Sequence, residues 1–448
     1  MKSLPKEFPD MQTNLSFKAS LSSYAETDSL IFLTFAGMTT LYKNIKGLCG
    51  IDQSLDRPMR GKQMSRFDCL ENAWLKVSDG MIAEFGPMST IPADADTSVD
   101  LSGQYVLPAY CDSHSHLVFA SARDGEFVDR IKGLSYEEIA KRGGGILNSV
   151  EKLREMPEDE LYEDAVERLR EVILQGTGAI EIKSGYGLDL ESELKMLRVI
   201  RRLKALDWIP ISSTLLAAHA IPPEFKGRKK DYMKLVIDTI IPEVAEQGLA
   251  DAVDIFCEEG YFDVNDTGNL LKRALEFGLR GKIHVNQFNV IGGVRVGVEE
   301  NCISVDHLEL VEDDDIQALK GTDCISTVLP SCSFFLSIPY APARRLMDED
   351  LPVALASDFN PGSTPSGNMN MVISLACIKQ KMLPEEAFNA ATINGAWAMQ
   401  AEKEVGSISR GKRANFIVTK AIPSLAYIPY AFGQNHIDKV VINGLTFS

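Results

Sequence analysis

The stretch Val106–Phe119, VLPAYCDSHSHLVF, decides how this chain is read. It runs apolar and β-prone as far as Asp112 and then places His114 and His116 two residues apart. Side chains on a strand alternate between faces, so histidines at i and i+2 point the same way and one metal ion reaches both. Neutral imidazole is a common ligand for zinc and other borderline divalent ions. Two hydrogen-bonded core histidines near a strand end would give the same pattern. The meaning of the pair depends on what the rest of the chain brings to it.

Outward from that stretch, apolar strand-like runs alternate with helix-period segments. Eight runs qualify: YVLPAYCDSHSHL, GAIEIKSGY, WIPISSTLLAAH, AVDIFCEE, GKIHVNQF, CISVDHLEL, CISTVLPSC and VALASDFNPG. Between them, Leu161, Ala165, Val166, Leu169, Val172 and Ile173 mark one helical face that stops at Gly176, and Leu270, Leu271, Ala274 and Leu275 mark another that stops at Gly278. Strands hydrophobic throughout and separated by helices predict a parallel sheet covered on its faces. Eight such units predict an α/β fold, a (β/α)8 TIM-like barrel. The rival, an open doubly wound sheet, would carry a Gly-rich phosphate loop after its first strand, where this chain has histidines.

The flanks differ. From about Leu30 to Leu107 the chain shows short β runs with turn residues, including a hairpin at Asp79-Gly80, and β character returns after Met399 with an Asn443-Gly444 turn. The expected organisation is a poorly ordered leader over 1–25, a small β-sandwich domain formed by 26–107 and 401–448, and the barrel over 108–400 inserted between its parts. At 448 residues and 45% hydrophobic content the chain buries a large core. Its net charge of −17 and lack of basic clusters argue against nucleic acid and anionic membrane as partners. No apolar run is long enough to span a bilayer, and a cytoplasmic enzyme is expected. Eight scattered cysteines without CxxC pairs are expected to be reduced core thiols.

Chemistry in such barrels sits at the carboxyl ends of the strands. Those ends supply His114 and His116, then Lys183 and Tyr186, His219, His284 and Gln287, Asp306 and His307, and Asp358 and Asn360. Five of the six histidines fall there, and the sixth, His436, is expected on the solvated surface of the tail. Three imidazoles and a carboxylate, His114, His116, His284 and Asp358, fit a catalytic metal site that leaves a position for water and lowers its pKa towards about 7. Asp358 would also serve as general base and then acid. Strand four ends in Cys257 and Glu258 rather than a bridging lysine, which argues for one metal rather than two. Lys183 is either catalytic or part of a strand-end ion-pair network.

The motifs DSHSHLVFASARDGEF, SYEEIAKRGGGI, EIKSGYGL, LAAHAIPPEF, SVDHLE, YAPARRL, ASDFNPGS and AATINGAWA carry a resemblance to the amidohydrolase superfamily, and within it to the imidazolonepropionase family, over about residues 70 to 420. The resemblance implies hydrolysis of the ring amide of 4-imidazolone-5-propanoate with one zinc or iron ion per chain, held by His114, His116, His284 and Asp358. It implies substrate contacts at Arg123, Tyr136, Tyr186, His219, Gln287, Asn360, Gly362 and Ser363, with Arg123 reading the propanoate carboxylate. His219 or His307 would stabilise the oxyanion. It also implies a homodimer. The strand-five motif HVNQF departs from the family pattern, and because Gln287 cannot act as a base the proton transfer falls to Asp358. Another mononuclear amidohydrolase, a deaminase of a cyclic amidine or nucleobase, would share the metal site without needing the carboxylate clamp. A catalytically dead scaffold relative would have lost ligands, and this chain keeps all four.

Overall fold

The computed structural model describes residues 37–51, 56–134, 138 and 144–447. The expected leader and Tyr136 lie outside them. Thr39–Ser448 forms one compact unit.

Strands β1 (Thr39–Cys49), β2 (Cys69–Ser78), β3 (Met81–Pro87), β4 (Thr97–Asp100) and β5 (Tyr105–Pro108) belong to a mixed sheet. The barrel strands follow: β6 (Tyr110–Asp112), β7 (Thr177–Lys183), β8 (Ile211–Ala218), β9 (Ala252–Cys257), β10 (Arg280–Val285), β11 (Ser304–His307), β12 (Ile325–Val328) and β13 (Val353–Leu355). The chain then returns to the mixed sheet through β14 (Phe416–Thr419), β15 (Ile437–Ile442) and β16 (Leu445–Phe447), with β14 pairing against β5.

Strands β6 to β13 are hydrogen-bonded in chain order and all in parallel. Beyond the last strand the seam is drawn together where Asp358 N–H donates to the His114 carbonyl (2.9 Å) and His116 N–H to the Phe359 carbonyl (2.8 Å). The predicted (β/α)8 architecture is therefore present. Its strands are buried along their length because helices cover the outside. The helix Glu158–Leu174, for instance, buries Leu161, Ala165, Leu169, Val172 and Ile173, the face its period predicts.

Two turn readings hold in detail. Asp79 and Gly80 both have positive φ (51° and 74°) between β2 and β3, and so do Asn443 and Gly444 (48° and 79°) between β15 and β16, as a two-residue hairpin turn of that kind requires.

Four expectations are corrected. YVLPAYCDSHSHL is not one strand: it breaks at Ala109, with β5 in the mixed sheet and β6 in the barrel. Pro108 lacks an N–H and cannot extend a ladder on both sides. Leu275, read as part of a buried face, is 51% exposed, because its helix packs through Thr267, Leu270, Leu271 and Ala274. His436 is buried rather than solvated, packed edge-to-face against Tyr427 with its Nε2 facing the Ala431 carbonyl. Cys49 and Cys69, twenty residues apart, are direct cross-strand partners on β1 and β2 and form a disulfide, while Cys302 and Cys324 are free and buried as expected.

Candidate metal centre and active site

His114, His116 and Asp358 follow the strand ends β6 and β13, and His284 lies on β10. All four are buried. His114 Nδ1 donates to Asp306 Oδ2 at 2.7 Å, since a carboxylate can only accept. That fixes the tautomer and leaves His114 Nε2 as a bare lone pair, a buried atom without a hydrogen-bond partner. His284 Nδ1 faces Asp254 Oδ2 at 3.0 Å, which turns its Nε2 inward to within 3.4 Å of His116 Nε2. Asp358 Oδ1 stands 3.6 Å from His114 Nε2 and 3.5 Å from His116 Nε2.

Ligand atoms about 2.0–2.1 Å from a metal in tetrahedral array stand roughly 3.3–3.4 Å from one another. The spacing observed here is of that size, and the Nδ1 contacts of His114 and His284 with carboxylates leave their Nε2 atoms as acceptors. Three imidazole nitrogens and a carboxylate therefore fit one divalent cation. Burial holds His114 and His116 far below the ordinary imidazole pKa, so both rings are neutral, the form that binds metal. Asp358 is a non-glycine residue at φ 53°, and His307 stands at φ 86°. Both turn their side chains into the barrel mouth from a backbone region that costs energy and is found mostly at functional sites.

Beneath the ligands lies a charged layer. Lys183 Nζ lies 2.8 Å from Glu181 Oε1 and 2.8 Å from Asp254 Oδ2; Lys282 Nζ lies 2.6 Å from Glu181 Oε2 and also donates to the Ser113 carbonyl (2.6 Å). Both lysines stand 3.8 Å from Asp306. Burial alone would lower the Lys183 pKa, but Asp254, Glu181 and Asp306 reverse it, so the net shift is upward. Lys183 is thus the network residue of the two readings offered for it. Asp112 is pushed up to about 7 by burial, although Ser357 donates to it through N–H (2.9 Å) and Oγ–H (2.5 Å), which ties β6 to the end of β13.

The rim gathers most of the remaining expected residues. Arg123 lies against Gly362 so closely that a Cβ there would collide with Nη1. Its Nε and Nη2 donate to Glu126 Oε2 (3.0 and 2.6 Å), and Glu126 Oε1 accepts from Gly145 N–H (2.9 Å). The acidic partner of Arg123 is therefore Glu126. Tyr186, pushed up by burial and within the field of Arg123 and Asp358, lies 6.0 Å in ring centroids from His116 and 5.7 Å from His219.

His219 stacks on His116 at 5.3 Å, and its Nδ1 faces the Gly185 carbonyl at 3.1 Å. Burial lowers its pKa to about 3, so the ring is neutral with the proton on Nδ1, and Nε2 is an acceptor. His307 is the opposite case. Burial lowers its pKa, but Glu309, with Nδ1 to Oε1 at 3.4 Å, and the more distant Asp358 outweigh that and raise it.

Asn360 is fully engaged: its Nδ2 donates to the Asp358 carbonyl and to Ser363 Oγ (both 2.7 Å), and its Oδ1 accepts from Gly362 and Ser363 N–H (2.8 and 2.7 Å). Gln287 Nε2 donates to Cys332 Sγ at 3.4 Å. Reading the strand ends missed Glu181, Asp254, Lys282, Glu126, Glu309 and Cys332. A signal for some of them was present: Glu181 and Lys183, Lys282 and His284, and Ser304 and Asp306 are i,i+2 polar pairs inside apolar strands, which places them on the inward face.

Residues 335–446 match the model of the Amidohydrolase family. The imidazolonepropionase of Christiangramia forsetii is 58% identical over 91% of this chain and 99% of its own length, and that of Flavobacterium johnsoniae is 55% identical with the same coverage. Among solved structures, E. coli guanine deaminase superposes with a TM-score of 0.68 over 92% of this chain and 99% of its own at 14% identity, a likeness of fold alone. With three imidazoles and a carboxylate converging at the mouth of the barrel and more than half of its residues shared with such relatives along nearly their whole length, the chain belongs to the imidazolonepropionase family.

Proposed function

We propose that this chain hydrolyses the ring amide of 4-imidazolone-5-propanoate to N-formimidoyl-L-glutamate in histidine degradation, with one zinc or iron ion held by His114, His116, His284 and Asp358. The observation that carries the reading is the convergence of those four acceptors below a rim that presents Arg123. When bound, the ion supplies Lewis-acid activation of water and of the ring carbonyl.

The chain's own residues do the rest. Asp358 accepts the proton of the attacking water and returns it to the ring nitrogen as the C–N bond breaks. His307, whose charged form Glu309 favours, donates to the oxyanion that forms as the carbonyl carbon becomes tetrahedral. His219, an acceptor at Nε2, takes a hydrogen bond from a ring N–H and is not suited to the oxyanion. Arg123, held along one edge by Glu126, keeps the Nη1 side of its fork for the propanoate carboxylate. Asn360 shapes the loop that presents Gly362 and Ser363, and Tyr186 and Gln287 line the pocket. The proposal includes a homodimer in the cytosol, checked by light scattering and by fractionation.

The test is an assay of the metal-loaded protein with imidazolone propanoate generated in situ, alongside metal analysis. Release of N-formimidoyl-glutamate with close to one ion per chain is expected. Ammonia release from a cyclic amidine or nucleobase, with no turnover of the acid, would establish a deaminase instead.

A further inference from the structure

Next to the ligand cluster, and sharing none of its four residues, is a second group of buried donors. His307 ends β11, Glu309 follows two residues later, and Cys332 is the third residue of the helix Pro330–Leu336 after β12. Each offers one ligand atom, and the three atoms lie within 4.8 Å of one another. Glu309 Oε1 faces His307 Nδ1 (3.4 Å) and accepts from Ser333 Oγ (3.2 Å), but Oε2 is buried with no hydrogen-bond partner among the described residues. A buried carboxylate oxygen left without a donor is costly and calls for a cation or another donor. The donor set is one sulfur, one imidazole nitrogen and one carboxylate oxygen. Thiolate with imidazole selects zinc-like ions over magnesium or calcium, which prefer all-oxygen sites.

We propose that His307, Glu309 and Cys332 form a second, inhibitory site for a thiophilic divalent cation, Zn2+ or Cd2+. On ligation the Cys332 thiol proton, and any proton on the ligating imidazole nitrogen, pass to solvent, and the cation takes their place. Occupancy ties up the imidazole that the proposed reaction turns on the oxyanion, so turnover stops while the first ion stays in place. The inhibitory half rests on the role given to His307 above; the binding half does not.

The experiment titrates the holoenzyme, carrying one ion per chain, with buffered Zn2+ and in parallel with Cd2+. Bound metal is read by equilibrium dialysis, thiolate ligation by the ultraviolet charge-transfer absorption of the cadmium form, and turnover separately. A second equivalent is expected to bind with that absorption and with loss of activity, and a weak chelator should restore activity without removing the first ion. Cys332→Ser should abolish the absorption, and Cys332→Ser and Glu309→Gln should each weaken the second equivalent by about tenfold or more, the least expected when a metal site loses a direct ligand. Binding of one ion only, or a second equivalent that both variants hold as tightly as wild type, overturns the site. A second ion bound there that leaves turnover unchanged or raises it overturns the inhibition. If the protein fails to hydrolyse the imidazolone at all, stoichiometry and absorption still decide whether the site exists.

Discussion

Two side chains separate chemistry from recognition. Asp358→Asn leaves an oxygen that can still approach a metal but removes the group that accepts and returns the proton. Its kcat should fall by about 10²–10⁴-fold while most of the metal remains. Metal-loaded Asp358→Asn within a few-fold of wild type would move the proton shuttle to another group. Arg123→Met removes the charged fork, and since a charge-assisted hydrogen bond is worth about 1.5–3 kcal/mol, kcat/KM for the acid should fall by roughly 10–150-fold. An analogue carrying a primary amide in place of the carboxylate should lose far less, and equal losses would mean that Arg123 only secures its loop through Glu126 and Gly145. The convergence of the histidines was legible in sequence because histidine is rare in this chain and strand ends collect it. The contrast between His219 and His307 was not, because it depends on which nitrogen meets a carbonyl and which a carboxylate. Neither partner, Gly185 nor Glu309, is marked by residue type or spacing.

At the level of elements, alternation and turn chemistry carried the barrel, both hairpins and the helix that ends before Gly176. What they could not carry was the break at Ala109, since an unbroken apolar run reads the same whether one sheet or two claim it. Gly176 shows why its position matters: it has φ 105°, and a Cβ there would sit 2.8 Å from Ile417 Cδ1 and 2.9 Å from Ile437 Cδ1 on the mixed sheet. Gly176→Ala should therefore lower stability by about 1–3 kcal/mol through backbone strain and crowding together. The midpoint of urea unfolding measures this, and an unchanged midpoint would show that the turn relaxes freely. The Cys49–Cys69 pair escaped notice for the same reason as Ala109, because register between β1 and β2 is not written in the spacing of two cysteines.

In the whole molecule, the two parts of the mixed sheet that flank the barrel in sequence meet where β14 lies against β5, and close to this join is a lysine with no carboxylate in hydrogen-bond contact among the described residues. Lys412 is buried, donates to the Val405 carbonyl (3.0 Å) and Ser407 Oγ (2.7 Å), and is lowered by burial to about 8. Its folded pKa lies below the ordinary lysine value, so between about pH 8 and 10.5 the unfolded chain binds the proton that the folded chain has released. Stability then rises with pH across that window, and below it the cost of the buried charge is present in full. The stability of wild type relative to Lys412→Met should accordingly improve from pH 8 to 10.5, by up to about 3 kcal/mol, as read from paired urea titrations. A difference that stays flat over that range would show that the charge is well solvated.

The lattice of Glu181, Lys183, Asp254, Lys282 and Asp306 also bears on how such a sequence can drift. Glu181, Lys183, Lys282 and Asp306 each face at least two opposite charges of the group, and Asp254 pairs with Lys183. Replacing one strands an opposite charge in the interior, at a cost of about 3–5 kcal/mol, a large part of what keeps a domain folded. One-step substitution paths through this layer are therefore closed, whereas coordinated exchanges of an acid and a base stay open. Random mutagenesis selected only for folding should return all five residues intact or changed in compensating pairs, while the rim around Arg123 and Gln287 remains free to explore other substrates.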